Sequence, residues 1–155
     1  MRGPTPPDVP RIVVVYERQP YWEPELRRQF EDDEVVVLAC RTVSDLEQTT
    51  VQNGDCVVAA DLADRPVDVL RWLSRRLING RSLPVIVITS PGTASLLWHA
   101  SEMGATAVVS DDCGGQYLAR LCRRQWAAAV IGRQAALLSP SAPTRASLQT
   151  ESKPS

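Results

Sequence analysis

The chain has 155 residues, enough for one domain with a core of its own. A formal net charge of −1 provides no general attraction to nucleic acid or to an anionic membrane surface. No apolar run approaches the ~18 residues of a membrane span, and the proline-containing start does not have the pattern of a secretory signal. We therefore expect a cytoplasmic protein that binds neither nucleic acid nor membranes.

The cysteines also favour a reducing compartment. The chain has four of them, none in a C-x-x-C pair, and a single histidine, His99, so their spacing indicates no metal site. Cys113 stands just before the last predicted helix, where a helix N-terminus could lower the pKa of a thiol. Asp111 and Asp112 precede it, however, and their charges oppose a thiolate. We predict reduced structural thiols, with a reactive Cys113 as the alternative.

Five short apolar runs follow one another along the chain at regular intervals. Each is rich in valine, isoleucine or alanine and continuous rather than alternating, which is typical of strands buried on both faces of a parallel sheet. The runs span residues 12–16, 34–40, 56–60, 84–89 and 106–110.

Segments with helical patterns separate these runs. Trp22, Leu26 and Phe30 form one stripe of the first segment, and Ser44 with Glu47 has the pattern of a capping box that opens the second. Further helices are predicted near residues 69–77, over 93–103 and from 116 onward. Strands that alternate with helices predict a doubly wound α/β domain with a five-stranded parallel sheet.

The ends of the chain differ in composition from this domain. Residues 1–10 are rich in proline and are predicted to form a flexible N-terminal arm, and the domain itself covers residues 11–126. The last helix is predicted to continue over residues 127–138. Residues 139–155 lack apolar periodicity and are predicted to be disordered.

Polar residues follow the predicted strands at the edge where ligands bind in such folds, namely the carboxyl ends of the strands. The segment after the first strand, residues 17–24, contains no glycine. A phosphate cradle needs the close backbone approach that glycine allows, so this loop argues against a nucleotide or flavin cofactor. We expect no cofactor and, without a recognisable nucleophile or base, no catalytic residue and no enzyme activity.

The order of these elements resembles the receiver domain of bacterial response regulators. The resemblance rests on the strand that ends in Thr89, on the segment HASEMGATAVVS over residues 99–110, and above all on Ala100 to Ala105 within it. It covers residues 11 to about 126. It implies a flavodoxin-like sheet with strand order 2-1-3-4-5 and a role in two-component signal transduction.

Several receiver positions carry different residues here. Receivers hold a magnesium ion with two adjacent acids after the first strand, and these positions match Tyr16 and Glu17. The phosphorylated aspartate ends the third strand, and a count without gaps places Ala60 there and Asp61 one residue late. Because strand side chains alternate, that shift is expected to turn the Asp61 carboxylate away from the pocket.

Two further receiver positions belong to the side chains that respond to the phosphoryl group. The hydroxyl residue after the fourth strand is present as Thr89, whereas the lysine after the fifth strand is replaced by Asp111. The single lysine of the chain is Lys153, outside the domain, so the pocket cannot contain one. We interpret the site as a degenerate phosphorylation pocket; the alternative is a functional receiver phosphorylated on Asp61, with magnesium held by Glu17 and Asp61.

Recognition of a protein partner is the function that remains. The resemblance implies that a face made by the fourth helix, fifth strand and fifth helix contacts a partner or a second copy, and Trp98, Tyr117 and Trp126 are assigned to it. The other interpretation is that these aromatic residues complete the core. We predict a phosphorylation-independent, receiver-like signalling module that acts through protein–protein interaction, with a homodimer among its candidate assemblies.

Overall fold

Five parallel strands form one sheet in the order β2-β1-β3-β4-β5. A computed structural model describes residues 11–80 and 83–138 of the chain, and the predicted flavodoxin-like α/β fold is confirmed. The arm at residues 1–10 and the tail at 139–155 lie outside the described residues. The elements are β1 (Arg11–Tyr16), α1 (Trp22–Gln29), β2 (Val35–Cys40), α2 (Val43–Gln52), β3 (Cys56–Asp61), α3 (Pro66–Ile78), β4 (Val85–Thr89), a 3₁₀ turn (Ala94–Leu96), α4 (Leu97–Glu102), β5 (Ala107–Ser110) and α5 (Gly115–Leu138).

Helices cover both faces of the sheet and divide the core into two layers. Val57 and Ala59 of β3 face the layer that α1 and α5 complete. Cys56, Val58 and Ala60, which alternate with them, face the layer of α2, α3 and α4. Because both faces of the central strands are covered, these strands read as continuous apolar runs rather than alternating ones.

The start of α2 corrects one prediction. Thr42 has an extended backbone, and its hydroxyl accepts the backbone N–H of Asp45 at 3.1 Å. Thr42 is therefore the N-cap, and Ser44, which was predicted to open the helix with Glu47, lies within its first turn and is exposed. The N-cap predicted from the capping-box pattern was wrong, because the Thr42 hydroxyl, two residues earlier, is better placed to accept the N–H.

The segment from 93 to 103 is also less regular than predicted. It consists of the 3₁₀ turn followed by the six-residue α4, instead of one continuous helix. Gly104 ends α4 with a φ of +101°, a conformation that glycine adopts without strain. The helix α4 is therefore short, and Ala100 is its fully buried residue.

The longest helix, α5, packs against α1 through its first three turns. Gly115 lies so close to α1 that a Cβ atom would stand 2.2 Å from the Cγ of Glu25. Farther along, the Arg123 guanidinium lies 2.9 Å from the Asp33 carboxylate and 5.1 Å from the ring centre of Phe30. Beyond residue 126, the described side chains of α5 are exposed. No helix among the described residues is long and apolar enough to cross a membrane.

Candidate functional site

The carboxyl ends of β1, β3, β4 and β5 bring the polar residues of the predicted pocket to one edge of the sheet. In the strand register, Tyr16 lies opposite Ala60, and Thr89 lies opposite Ser110. Glu17 and Asp111 therefore come one residue beyond these pairs, and Asp61 is the last residue of β3. The topology assembles this edge from residues that are far apart in the sequence.

Glu17 is buried, with 2% of its surface exposed. Its carboxylate accepts the backbone N–H of Trp22 at 2.7 Å and also that of Tyr21. These are free donors at the N-terminus of α1, where the partial positive charge of the helix also favours a carboxylate. Glu17 therefore caps α1 from a distance of five residues.

Arg41, which follows β2, holds this arrangement from the other side. Its guanidinium donates to the backbone carbonyl of Glu17 at 3.2 Å and to the carboxylate of Glu23 at 2.8 Å. It also lies 3.6 Å from the Glu17 carboxylate. The sequence prediction missed Arg41, although a residue directly after a parallel strand must lie at the same edge of the sheet.

Asp61 reaches the rim of the sheet, and Ala60 does not. Ala60 has no exposed surface, whereas Asp61 is half-buried and its carboxylate accepts the backbone N–H of Ala63 at 2.8 Å. Burial raises the pKa of Asp61, and the nearby charge of Asp111 raises it further, while the Ala63 N–H and the Trp22 indole act in the opposite direction. The alternation of β3 thus places Asp61 on the face opposite Ala60, at the rim of the sheet and within the electrostatic influence of Asp111.

Tyr16 lies on the opposite face of the sheet from Asp61. Its ring is 3% exposed and belongs to the layer of α2, α3 and α4. Burial raises the pKa of its phenol, and the charges of Asp64 and Asp68 contribute. Arg18 joins Asp64 at 2.8 Å across the loops that follow β1 and β3. The phenol therefore does not fill the space beside Asp61.

Thr89 and Asp111 complete the edge. The Thr89 hydroxyl is buried and donates to the backbone carbonyl of Val109 at 3.2 Å, so it is already engaged within the sheet. The backbone N–H of Asp111 donates to the carbonyl of Thr89 at 2.7 Å, and its side chain is exposed. Asp111 adds negative charge near Asp61, where a phosphoryl group would need a cation.

Comparisons with solved structures identify this architecture. The chain is similar to a response regulator receiver domain protein from Clostridium thermocellum, with 18% identity, a TM-score of 0.64, and coverage of 82% of this chain and 98% of that chain. A response regulator receiver protein from Pseudoalteromonas atlantica gives 15% identity and a TM-score of 0.64, over 76% of this chain and 98% of that chain. A response regulator from Thermotoga maritima gives 13% identity and a TM-score of 0.63, over 75% of this chain and 97% of that chain.

The chain has the receiver fold. No family model and no curated protein matches the sequence. At these levels of identity the solved structures establish the fold, and the chemistry has to be argued from the residues of this chain.

Within this receiver fold, the acids at the edge do not converge on one point. Among residues 11–80 and 83–138, no three His, Cys, Asp or Glu side chains are grouped so that they could hold a metal ion. Glu17, one of the two residues of the alternative magnesium site, is oriented by the amides of α1 and by Arg41. A magnesium ion would have to compete with these donors for the same carboxylate oxygens.

The thiols of the receiver fold are free and mostly buried. Burial raises the pKa of Cys56 to about 11 and that of Cys122 to about 12. Burial, followed by the charge of Asp112, also raises the pKa of Cys113. A raised pKa disfavours the thiolate, which argues against a nucleophilic role for Cys113.

The three aromatic residues assigned to a partner surface do not lie together. Trp98 on α4 is 74% exposed, and Tyr117 on α5 is 42% exposed. Trp126 instead packs against the core on the α1 side, with its ring centre 5.6 Å from that of Phe30. It occupies the same helical stripe as Leu118 and Cys122, which explains its burial. The structure leaves Trp98 and Tyr117 as exposed aromatic residues and gives Trp126 a packing role.

Proposed function

We propose that this chain is a receiver-like signalling module of the cytoplasm that acts through protein–protein interaction and does not depend on phosphorylation. The engagement of Glu17 is the observation that carries the proposal. The Glu17 carboxylate already accepts hydrogen bonds from the start of α1 and lies beside the Arg41 guanidinium. A receiver that is phosphorylated with magnesium needs its acidic side chains available to bind the ion.

The charges around Asp61 support the same conclusion. Phosphoryl transfer to a carboxylate requires cations that offset the negative charge of the phosphoryl group and its acceptor. Asp61 has Asp111 as a charged neighbour, and the single lysine of the chain is Lys153. The Thr89 hydroxyl, bonded to Val109 within the sheet, already has a partner. We propose no enzyme activity and no cofactor.

Trp98 is the residue that supports partner recognition most directly. Trp and Tyr are frequent among the residues that dominate protein interfaces. Trp98 is 74% exposed beside the partly exposed Leu97 on the short α4. We propose that this surface docks a protein partner, a different protein or a second copy, and that nucleic acid and membranes are not its targets.

The first test is intact-mass spectrometry after incubation of the full chain with acetyl phosphate and magnesium. We expect no gain in mass. A gain of one phosphoryl group that persists in Asp64→Asn and disappears in Asp61→Asn would overturn the proposal. The Asp64 variant is the matched control, because that carboxylate belongs to the same loop region but pairs with Arg18.

A second candidate function is a functional receiver phosphorylated on Asp61. The position of Asp61 favours it, because its carboxylate stands at the rim of the sheet and within the electrostatic influence of Asp111. Two carboxylates at this edge could bind a divalent cation in a divergent manner. The mass experiment distinguishes the two candidates, since this one requires phosphorylation that depends on Asp61.

The partner surface has its own test. We expect Trp98→Ala to lower the affinity of the immobilised chain for a specific partner at least ~10-fold, as the loss of an interface hot spot does. Val67→Ala is the control, since Val67 is 61% exposed on α3. Equal capture by both variants would place the partner surface elsewhere.

A further inference from the structure

The end of α5 is exposed although almost all of its residues are apolar. Apart from Arg133 and Gln134, every residue from 127 to 138 is Ala, Gly, Val, Ile or Leu. Its four large side chains are between 53% and 86% exposed, namely Val130, Ile131, Leu137 and Leu138. A helix that is apolar around its whole circumference is stable in water when other protein covers it. We call residues 127–138 the α5 extension.

A groove lies at the same end of the domain, next to the α5 extension. It has a volume of about 490 Å³ and runs between the end of α3 and α5, at the amino-terminal edge of the sheet. This edge is opposite the one that carries Glu17 and Asp61. Leu77 forms part of the groove wall and is 57% exposed, and the neighbouring Ile78 is 79% exposed. Its lining includes Leu73, Leu77, Leu83, Gln125, Ala128 and Ala129.

The segments outside the described domain do not have the composition to cover these surfaces. Residues 139–155 contain Leu148 as their single large apolar residue, and residues 1–10 contain Met1 and Val9. Four exposed large side chains and an apolar groove need more apolar surface than these residues supply. These two segments are therefore not the cover.

We infer that a second copy of this chain provides the cover, with the α5 extension of each copy lying along the groove of the other. The groove takes one wall from residues 125–129, so the first turn of the extension lines it, and the rest of the extension continues along the same helix. Two antiparallel α5 helices related by a two-fold axis near Ile131 would place each extension beside its partner's groove. Such an interface is self-complementary, because each copy presents both surfaces.

The exposed area is sufficient for such a dimer. Burial of one Val, Ile or Leu side chain removes roughly 60–120 Å² of apolar surface from water. The four large residues of the extension together with Leu77 and Ile78 thus provide on the order of 400–600 Å² per chain. The alanines of the extension and the groove wall bring this close to the ~800 Å² that each partner buries in a standard interface.

This dimer is independent of the proposed function, because it leaves the Trp98 surface of α4 free for a different protein. The test uses sedimentation velocity on the full chain between about 1 and 200 μM, with a dimer of twice 17.0 kDa as the expected species. Leu77→Glu on the groove and Leu138→Lys on the extension are each expected to raise the dimer dissociation constant at least ~10-fold. Both positions are exposed, so circular dichroism should show an unchanged fold.

Mixing the two variants gives the decisive result. In a heterodimer, the Glu of one chain meets the Lys of the other, while the second pair of surfaces is unaltered, so dimerisation should return to within ~3-fold of the original chain. Trp98→Ala should leave the dimer intact. A monomer at every concentration, a Leu77→Glu variant that dimerises normally, a mixture that stays monomeric, or loss of the dimer in Trp98→Ala would each overturn the inference.

Discussion

Replacement of Glu17 by alanine should destabilise the fold strongly, because this carboxylate satisfies the N-terminus of α1 inside the protein. The change leaves the buried backbone N–H of Trp22 without its acceptor, at about 1–3 kcal/mol, and it also removes the acceptor of the partly buried Tyr21 N–H. It also removes one of the two carboxylates beside Arg41. We expect a total loss of about 3–4 kcal/mol in the free energy of unfolding.

Glu17→Gln separates the hydrogen bonds from the charge. The amide oxygen can still accept from α1, so the expected loss is about 1–2 kcal/mol, the difference between a charged and a neutral acceptor. Urea denaturation measures both values. With a slope of about 1.5 kcal/mol per molar for a domain of this size, the midpoints should fall by about 2 M for the alanine variant and 1 M for the glutamine variant.

Glu47→Ala is the control, since Glu47 is exposed on α2 and its loss should change stability by less than ~0.5 kcal/mol. A loss below about 1 kcal/mol in Glu17→Ala would refute the capping role. So would a rise in the melting temperature of the original chain in magnesium that Glu17→Ala abolishes, because the carboxylate would then be a metal ligand.

Three further predictions concern single side chains. Since the pKa of Asp61 is raised in the folded chain, ionisation of its carboxyl group opposes folding. The stability that the protonated carboxyl group contributes is therefore lost as the pH rises above ~3.9, the ordinary pKa of Asp. Asp61→Asn should raise the melting temperature at pH 7 but not at pH 3, whereas the exposed control Asp32→Asn should change it at neither pH. A thiol reagent at about pH 8 should label Cys113 slowly and the three buried cysteines after unfolding, and rapid labelling of two thiols in the folded chain would contradict this. Arg123→Ala should lower the free energy of unfolding by about 1 kcal/mol, because it removes the ion pair with Asp33 and the contact with the Phe30 ring. In the same urea titration, Arg120→Ala on the exposed face of α5 should change this free energy by less than ~0.5 kcal/mol.

The contacts of Glu17 also bear on how the proposed module would respond to signals. Glu17 and Arg41 tie together the end of β1, the start of α1 and the end of β2. A change at this edge would have to break several charged hydrogen bonds at once. We expect the edge to hold one conformation, so that any switching comes from the differential affinity of a partner for two states of another surface.

The pattern of apolar residues predicted the sheet, because burial of strands on both faces leaves a signal in local composition. Val57 to Ala60 is apolar for this reason, and the stripe of Trp22, Leu26 and Phe30 is buried against the sheet as predicted. Local rules failed where two signals competed. Ser44 had the pattern of an N-cap, but Thr42 took the position because its backbone is extended there.

The sequence by itself determined the α/β class, the strand order through its resemblance to receivers, and the absence of lysine from the domain. The tertiary structure decided what each polar residue at the edge contacts. Glu17 reads as a free metal ligand until α1 folds over it. Only the structure shows that the Asp61 carboxylate is half-buried at the rim and accepts the backbone N–H of Ala63. The sequence groups Trp126 with Trp98, whereas the structure packs Trp126 against Phe30. The surroundings of Asp61 and Trp126 involve residues distant in the chain, and local periodicity contains no information about them.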